Sequence, residues 1–311
     1  MSWWLTQPVY PYAGIGPWEK IGSIPPFIQD KQYIIYRFNI EYIDDLLLFI
    51  NNNYLTGYRL TRDYLYRKLI VPGSTSLILM RLNKIIGFIY SSPVVINDIE
   101  CGYVDLMTVS HNQRNNGLAK ILISAITNFS NKKHYIHKKD QTPLPFPYFF
   151  STGHYSGNVN LNYKGHSIQL NETSPATINT VYNVYIAWLN SQPFRSLVDK
   201  STFVSSESVK TFYIDDFIVS IAIFGFTYGL IRNIKIAEVF FINYSNFDYN
   251  LYQSLLFTLK KSDIEFLVVQ NNSFFRDIIK KDKYLESMDL YLHSYNLYIP
   301  NTFSNIQLPV F

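Results

Sequence analysis

Residues 104–126 read VDLMTVSHNQRNNGLAKILISAI, and this stretch decides the fold. It begins with an apolar, alternating run that is typical of a β-strand. From Leu118 onward, apolar residues recur at positions 118, 121, 122, 125, 126 and 129, the spacing of one face of an α-helix. The polar segment between them, Gln113–Ala119, contains a glycine. Such a strand–turn–helix junction is either a plain connection or a cradle for a phosphate group.

The sequence on both sides predicts two α/β halves of like order. The first half reads as helices at 40–53 and 60–70, a strand pair at 76–81 and 84–91 joined by a tight turn at Leu82–Asn83, a strand at 103–109 and the helix from 118. The second half reads as a helix at 180–190, strands at 217–226 and 236–244, a helix at 249–261, and strands at 264–270 and 287–299. We therefore predict an α/β (α+β) fold of two related lobes that share a continuous mixed sheet around a pseudo-two-fold relation. The second copy of the junction, 243–250, has neither glycine nor arginine, so only the first lobe is expected to build the polar turn.

Composition narrows the class of protein. The chain has 311 residues, of which 48% are hydrophobic and 16% charged, which predicts a large core. Its net charge of +4 is too small and too dispersed for a nucleic-acid-binding protein. The single cysteine, Cys101, excludes an intramolecular disulfide and is expected to be a small buried residue rather than a nucleophile. No secretory signal is evident, and the longest apolar run, 217–231, is too short to span a bilayer. These features predict a cytoplasmic protein without a transmembrane segment, and we expect a monomer.

The polar turn has the spacing Q/R-x-x-G-x-G/A. Gly117 permits a backbone nest of N–H groups, and the helix that follows adds a partial positive charge for a pyrophosphate. This pattern resembles the acetyl-CoA-binding signature of the GNAT acyltransferase superfamily. It assigns CoA binding to Gln113, Arg114, Asn115, Asn116, Gly117, Leu118 and Ala119, with an ordinary loop as the alternative.

Several further segments, in the same order along the chain, resemble the N-myristoyltransferase (glycylpeptide N-tetradecanoyltransferase) family. The opening resembles its F-W-x-T-Q-P-V motif, and short later segments resemble its E-N-Y-V, V-G-F-I, E-I-N-F-L-C-V-H-K-K-L-R-x-K-R-x-A and L-P-x-P motifs. In the order of these motifs, the matching segments are Trp3–Val9, Asn53–Leu55, Gly87–Ile89, residues 103–119 and Leu144–Pro147. Residues 239–244 and 290–300 also resemble family segments of like character.

This resemblance implies two GNAT-like lobes, myristoyl-CoA as the acyl donor without a metal, and the N-terminal glycine of a protein or peptide as the acceptor. Carried over by position, the oxyanion hole falls on the backbone N–H groups of Leu106 and Met107, and the base on the terminal carboxylate of Phe311. The ordinary alternatives are two plain strand residues and an apolar end that only packs on the sheet. The resemblance also implies donor contacts from Trp3, Trp4, Met107 and Val109, and acceptor contacts from Tyr54, Asp105 and His154, of which His154 is equally readable as structural.

The implied organisation is an extended arm at 1–30, an acyl-CoA lobe at 31–160 and a lobe at 161–311 that forms most of the peptide groove.

Three departures from the family pattern stand out: Asn116–Gly117 replaces a basic pair, Thr56–Arg59 replaces an acidic run, and Tyr284–Ser287 replaces a Gly-Asp-Gly loop. A compact, diverged, viral version of the family would look like this. Two alternatives stay open: a tandem GNAT enzyme with another acyl donor or amine, and a protein that binds acyl-CoA or N-terminal-glycine peptides without turnover.

Overall fold

The computed structural model describes most of the chain. The described residues are 7, 9, 26–27, 32–54, 58–140, 143–145, 148–158, 175–197, 200, 209–214, 217–228, 234–242, 248–261, 264–270, 286–297 and 299. The described helices are α1 (Ile43–Asn53), α2 (Arg62–Leu69), α3 (Leu118–Phe129), α4 (Pro175–Asn190) and α5 (Tyr249–Lys261). The described strands are β1 (Ile34–Arg37), β2 (Tyr58–Leu60), β3 (Thr75–Arg81), β4 (Lys84–Ile96), β5 (Ile99–Val109), β6 (Tyr135–Asp140), β7 (Phe150–Asn158), β8 (Phe194–Ser196), β9 (Val209–Ile214), β10 (Phe217–Tyr228), β11 (Ile234–Ile242), β12 (Phe266–Gln270) and β13 (Glu286–Tyr295).

All these strands belong to one mixed sheet. Its main path runs β1-β3-β4-β5-β6-β13-β7-β12-β11-β10-β2, with β8 beside β4 and β9 beside β10. Pairing is parallel at β5–β6 and at β11–β12, and antiparallel at the other pairs. The continuous mixed sheet expected from the sequence is confirmed.

The same unit occurs twice in this sheet. In the first half, the β4–β5 hairpin leads through α3 to β6, which pairs in parallel with β5. In the second half, the β10–β11 hairpin leads through α5 to β12, which pairs in parallel with β11. Each half also lends strands to the other, since β7 pairs with β12 while β13 pairs with β6, and β2 pairs with β10 while β8 pairs with β4. This reciprocal exchange is the pseudo-two-fold relation that the sequence predicts.

Local sequence explains why α3 lies where it does. Its apolar face, which includes Leu118, Leu122 and Ile126, is buried against β3 and β4 in one hydrophobic cluster. The β3–β4 hairpin that carries this cluster turns at Leu82 and Asn83, both with positive φ, as the predicted tight turn requires.

Some elements differ from the sequence-based expectations. Strand β5 begins at Ile99, because Asn97 and Asp98, both with positive φ, form a second hairpin turn. The sequence analysis predicts no strand at six positions where the structure has one: β1, β2, β6, β7, β8 and β9. In β6 and β7, polar residues interrupt the apolar alternation. The domain boundary near residue 160 stays a prediction, because residues 159–174 lie outside the described part. Within the described ranges, no helix is long and apolar enough to cross a membrane.

Candidate active site

The two parallel strands of the first half separate in the middle of the sheet. Strand β5 pairs with β6 only from Gly102 to Val104, opposite Tyr135 to His137. Beyond this point β5 continues along β4 to Val109, and β6 continues along β13 to Asp140. The β6-facing edge of β5 therefore opens at residue 105, in the middle of the stretch that decides the fold.

A β-bulge lies at this opening. Phe88 faces Thr108 and Tyr90 faces Asp105, so Ile89 opposes the two residues Leu106 and Met107. The φ angle of Leu106 is 51°, a left-handed conformation that costs a residue with a Cβ about 1–3 kcal/mol. The bulge buries the Leu106 side chain and leaves Met107 partly exposed.

Side chains on both sides of Leu106 hold this conformation. The Thr108 hydroxyl donates to the carbonyl of Leu106 at 3.1 Å. The N–H of Leu106 donates to Oδ1 of Asp105 at 2.8 Å. One of the two predicted oxyanion donors thus already binds a carboxylate of the chain itself.

Asp105 is buried between two lysines. Its Oδ1 lies 3.0 Å from Nζ of Lys138 on β6, and its Oδ2 lies 3.8 Å from Nζ of Lys68 on α2. Burial alone would raise the pKa of Asp105, but Lys138, Lys68 and the hydrogen bond from the Leu106 N–H together lower that pKa to about 2. The carboxylate is therefore ionised, and its charge is matched by two ammonium groups.

Tyr90 and Tyr64 fix Lys68 at the bulge. The Tyr90 hydroxyl donates to the Lys68 carbonyl at 2.5 Å, and burial raises the pKa of that phenol. The Lys68 ammonium lies 5.6 Å from the centre of the Tyr64 ring, within cation–π range. Main chain and side chain of Lys68 are both held beside the opening.

The polar turn leads from the end of β5 to α3. Asn115 (φ 66°) and Gly117 (φ 77°) are both left-handed, and Gly117 is the N-cap of α3. Apart from Gly117 and its two chain neighbours, no described atom lies within 4 Å of a Cβ built on Gly117. The first turn of α3 carries no acidic side chain. The Cβ side of Gly117 therefore faces open space, at a helix end whose first N–H groups suit an anionic group.

Arg114, the basic residue of the turn, bonds to the protein's own backbone. Its Nη2 donates to the carbonyl of Asn53 at 2.5 Å, and its Nε donates to the carbonyl of Val109 at 3.4 Å. The Asn53 Oδ1 accepts from the N–H of His111 at 2.9 Å. These bonds fasten the turn to the end of α1, directly before the half-buried Tyr54.

The structure brings most of the predicted donor-site residues together but leaves others outside the described part. Asp105 is the first residue of β5 after its pairing with β6 ends, and the bulge residues Leu106 and Met107, the strand end Val109 and the turn 113–119 follow along the chain. Trp3, Trp4 and Phe311 lie outside the described residues. His154 lies on β7, opposite Gln270 on one side and Met288 on the other. All these assignments stay predictions.

Cys101 is buried, and burial raises the pKa of its thiol to about 12. A thiol of this kind is a packing residue and not a nucleophile at neutral pH. Among the described residues, no cluster of three or more histidine, cysteine or acidic side chains could hold a metal ion.

Two lysines of the site were missed by the sequence interpretation. Lys68 follows Tyr64 by four positions and Leu65 by three, so the helical period places it on the buried face of α2. Lys138 follows Ile136 by two positions and therefore shares its face of β6. The sequence signal for both lysines was a charged residue at a position where the helix or strand period predicts a buried apolar one.

A histidine pair lies next to Lys138. His137 on β6 faces His293 on β13, and both are buried. The Nε2 of His293 accepts from the N–H of Leu144 at 3.1 Å. Burial, with a smaller effect of His293, lowers the pKa of His137 to about 3. His137 is therefore neutral at physiological pH.

The overall structure is similar to that of Saccharomyces cerevisiae N-myristoyltransferase with bound myristoyl-CoA, with a TM-score of 0.75 and 14% sequence identity over 96% of this chain and 93% of the yeast chain. A second yeast N-myristoyltransferase structure with bound myristoyl-CoA gives a TM-score of 0.75 at 15% identity. The GCN5-related glucosamine N-acetyltransferase region of a fungal multi-domain β-N-acetylglucosaminidase gives 0.52 at 11% identity, covering 38% of that chain. No protein-family model and no curated protein matches the sequence. At these identities the likeness establishes a GNAT-like N-myristoyltransferase fold, and it does not bear on a viral source.

Proposed function

We propose that the protein is an acyl-CoA-dependent N-acyltransferase. The observation that carries this proposal is the opening between β5 and β6, which has the Leu106 bulge on its edge and is followed by the polar turn that leads to the glycine-capped N-terminus of α3. A thioester in the opening would be close to backbone donors of the bulge, while the CoA pyrophosphate would meet the N–H groups of 115–119. The fold shared with yeast N-myristoyltransferase, whose structure holds bound myristoyl-CoA, supports an acyl-CoA as the donor.

The chemistry is attack of an amine on the thioester carbonyl. The C–N bond forms, the carbonyl electron pair moves onto oxygen, and it returns as the C–S bond breaks. The proton that the amine loses ends on the departing CoA thiolate. Backbone donors near Leu106 and Met107 stabilise the intermediate oxyanion, and each such donor is typically worth about 2.7–4 kcal/mol.

We further propose myristoyl-CoA as the donor and an N-terminal glycine as the acceptor. The motif resemblance at both ends of the sequence supports this choice. Burial of a fourteen-carbon chain would contribute on the order of 10 kcal/mol, at about 0.8 kcal/mol per methylene, before losses. By the same resemblance, the carboxylate of Phe311 takes one proton from the glycine ammonium before the attack, and the neutral amine gives up its second proton to the CoA thiolate afterwards. Tyr54, Asp105 and His154 line the acceptor side.

The direct test is a transfer assay read by mass spectrometry. The protein is incubated with myristoyl-CoA or acetyl-CoA and with a peptide that begins with Gly or its Ala variant. The proposal predicts one myristoyl group on the Gly peptide and none on the Ala peptide. Acetyl transfer alone would retain the enzyme class but refute the donor, and transfer to both peptides would refute the glycine requirement.

A second candidate, an acyl-CoA-binding protein without turnover, is favoured by one observation. The Leu106 N–H is bound to Asp105, and two donors of Arg114 are bound to backbone carbonyls. Calorimetric binding of myristoyl-CoA with no product on any peptide would support this candidate over the enzyme.

The base is tested separately by residues appended after Phe311, since an extension moves the carboxylate. We expect kcat to fall strongly while the affinity for the acyl-CoA is retained. Full activity of the extended protein would exclude the terminal carboxylate as the base.

Because Thr56–Arg59 replaces the family's acidic run, we also expect kcat/KM to change little when a lysine near the glycine of the peptide is removed.

A further inference from the structure

Two donors from different strands meet on one oxygen atom beside the bulge. Oδ1 of Asp105 accepts the Leu106 N–H at 2.8 Å and lies 3.0 Å from the Lys138 ammonium. A backbone N–H and a cation that converge on one oxygen form the donor set that stabilises an oxyanion. In this structure, a carboxylate of the chain itself fills that position.

The second oxygen of the same carboxylate has a different cation. Oδ2 lies 3.8 Å from the ammonium of Lys68, which is only 1% exposed. Asp105 would therefore keep an ion pair with Lys68 if another oxygen took the place of Oδ1. Two ammonium groups and one carboxylate also leave one net positive charge, which suits an additional negative oxygen.

We propose that Lys138 is a catalytic residue of the acyl transfer, and this rests on the proposed function. Its ammonium, together with the Leu106 N–H, donates to the thioester carbonyl oxygen as that oxygen becomes negative. Lys138 keeps its proton throughout, while the amine proton goes to the CoA thiolate. Asp105 occupies the same position before the donor binds and moves toward Lys68 when it does.

The anion site can be tested without turnover. In the Asp105→Ala variant, formate is titrated as a substitute for the missing carboxylate, and the Leu106 amide is followed by NMR in ¹⁵N-leucine-labelled protein. We expect a saturable shift of this amide in Asp105→Ala and none in Asp105→Ala/Lys138→Met. An equal shift in both variants, or no shift in either folded variant, would overturn the proposed donor pair.

A double-mutant cycle tests the catalytic role and does not require Asp105→Ala to fold. Lys138→Met is expected to lower kcat about 100-fold, the usual effect of losing one oxyanion donor, with little change in KM for the donor. Lys138→Arg is expected to retain most of the activity, and Lys84→Met, at the exposed first residue of β4, serves as the matched control.

The decisive variant combines Asp105→Asn with Lys138→Met. If Lys138 only neutralises Asp105, removing both charges restores kcat to the Asp105→Asn level, and the proposal is wrong. If Lys138 acts on the thioester oxygen, the double variant stays as slow as Lys138→Met. A wild-type protein that transfers no acyl group would refute the proposed function, whereas the formate titration would still decide whether Lys138 and Leu106 form an anion site.

Discussion

Gly102 is expected to be essential for the close contact of β5 and β6 just before they separate. A Cβ at this position would lie 2.7 Å from Oγ of Ser91 and 2.8 Å from Cδ1 of Tyr135. The Tyr135 ring cannot yield easily, because it is fully buried and its hydroxyl oxygen lies 2.9 Å from the Lys132 carbonyl and 3.1 Å from the Thr127 carbonyl, either of which can accept its one hydrogen. Overpacking of this kind costs about 1–3 kcal/mol. Alanine recovers about 0.5–1 kcal/mol of that through its better strand propensity.

We therefore expect Gly102→Ala to lower the free energy of unfolding by about 1–2 kcal/mol, measured by urea denaturation at pH 7. Gly87→Ala is the matched control on the neighbouring strand. Its Cβ would lie 3.1 Å from Cδ1 of Leu122, the end of a flexible side chain, and 3.2 Å from Cβ of Leu79. Gly87→Ala should cost less than Gly102→Ala. A Gly102→Ala protein as stable as the wild type, or less affected than Gly87→Ala, would refute the packing argument.

Three further predictions concern charge. The pKa of His137 is about 3, whereas that of an unfolded histidine is about 6.5, so the unfolded state binds more protons below pH 6.5. The free energy of unfolding should therefore fall below pH 6.5 by up to about 1.4 kcal/mol per pH unit. His137→Phe should flatten this slope in thermal melts between pH 7 and 5. Asp105, with a pKa of about 2 against 3.8, contributes stability that is lost only below about pH 4, so Asp105→Asn should leave the slope above pH 5 unchanged and reduce it between pH 4 and 2. Arg114→Met should lower the Tm of the ligand-free protein, since it removes the bonds to Asn53 and Val109; a change in CoA affinity alone would contradict the structural role.

The helices and hairpins that position the site could be predicted from sequence because their signals are local. The apolar spacing that begins at Leu118 specifies α3, and the left-handed turn at Gly117 follows from a residue that tolerates positive φ. The predicted order of two like halves was correct for the same reason. These elements depend on neighbours within a few positions of the chain.

The bulge could not be predicted, because its causes are distant in sequence. VDLMTV reads as a regular strand, and nothing about Leu106 suggests positive φ. Its conformation depends on cross-strand pairing with β4 and on Asp105, whose charge depends in turn on Lys68 and Lys138. Two cations from a helix and a strand meet one carboxylate only after the fold has formed, so sequence reasoning identified Asp105 without its partners.

The exchange of strands between the two halves has a consequence for biosynthesis. On a ribosome, β6 emerges long before β13, the strand that lies between β6 and β7 in the finished sheet. Until β13 is made, the opposite edge of β6 has no neighbour, and β7 lacks both β13 and β12. The first half therefore cannot complete its sheet during vectorial synthesis. Folding of the central strands must wait for almost the whole polypeptide, and neither half expressed alone is expected to yield a native lobe.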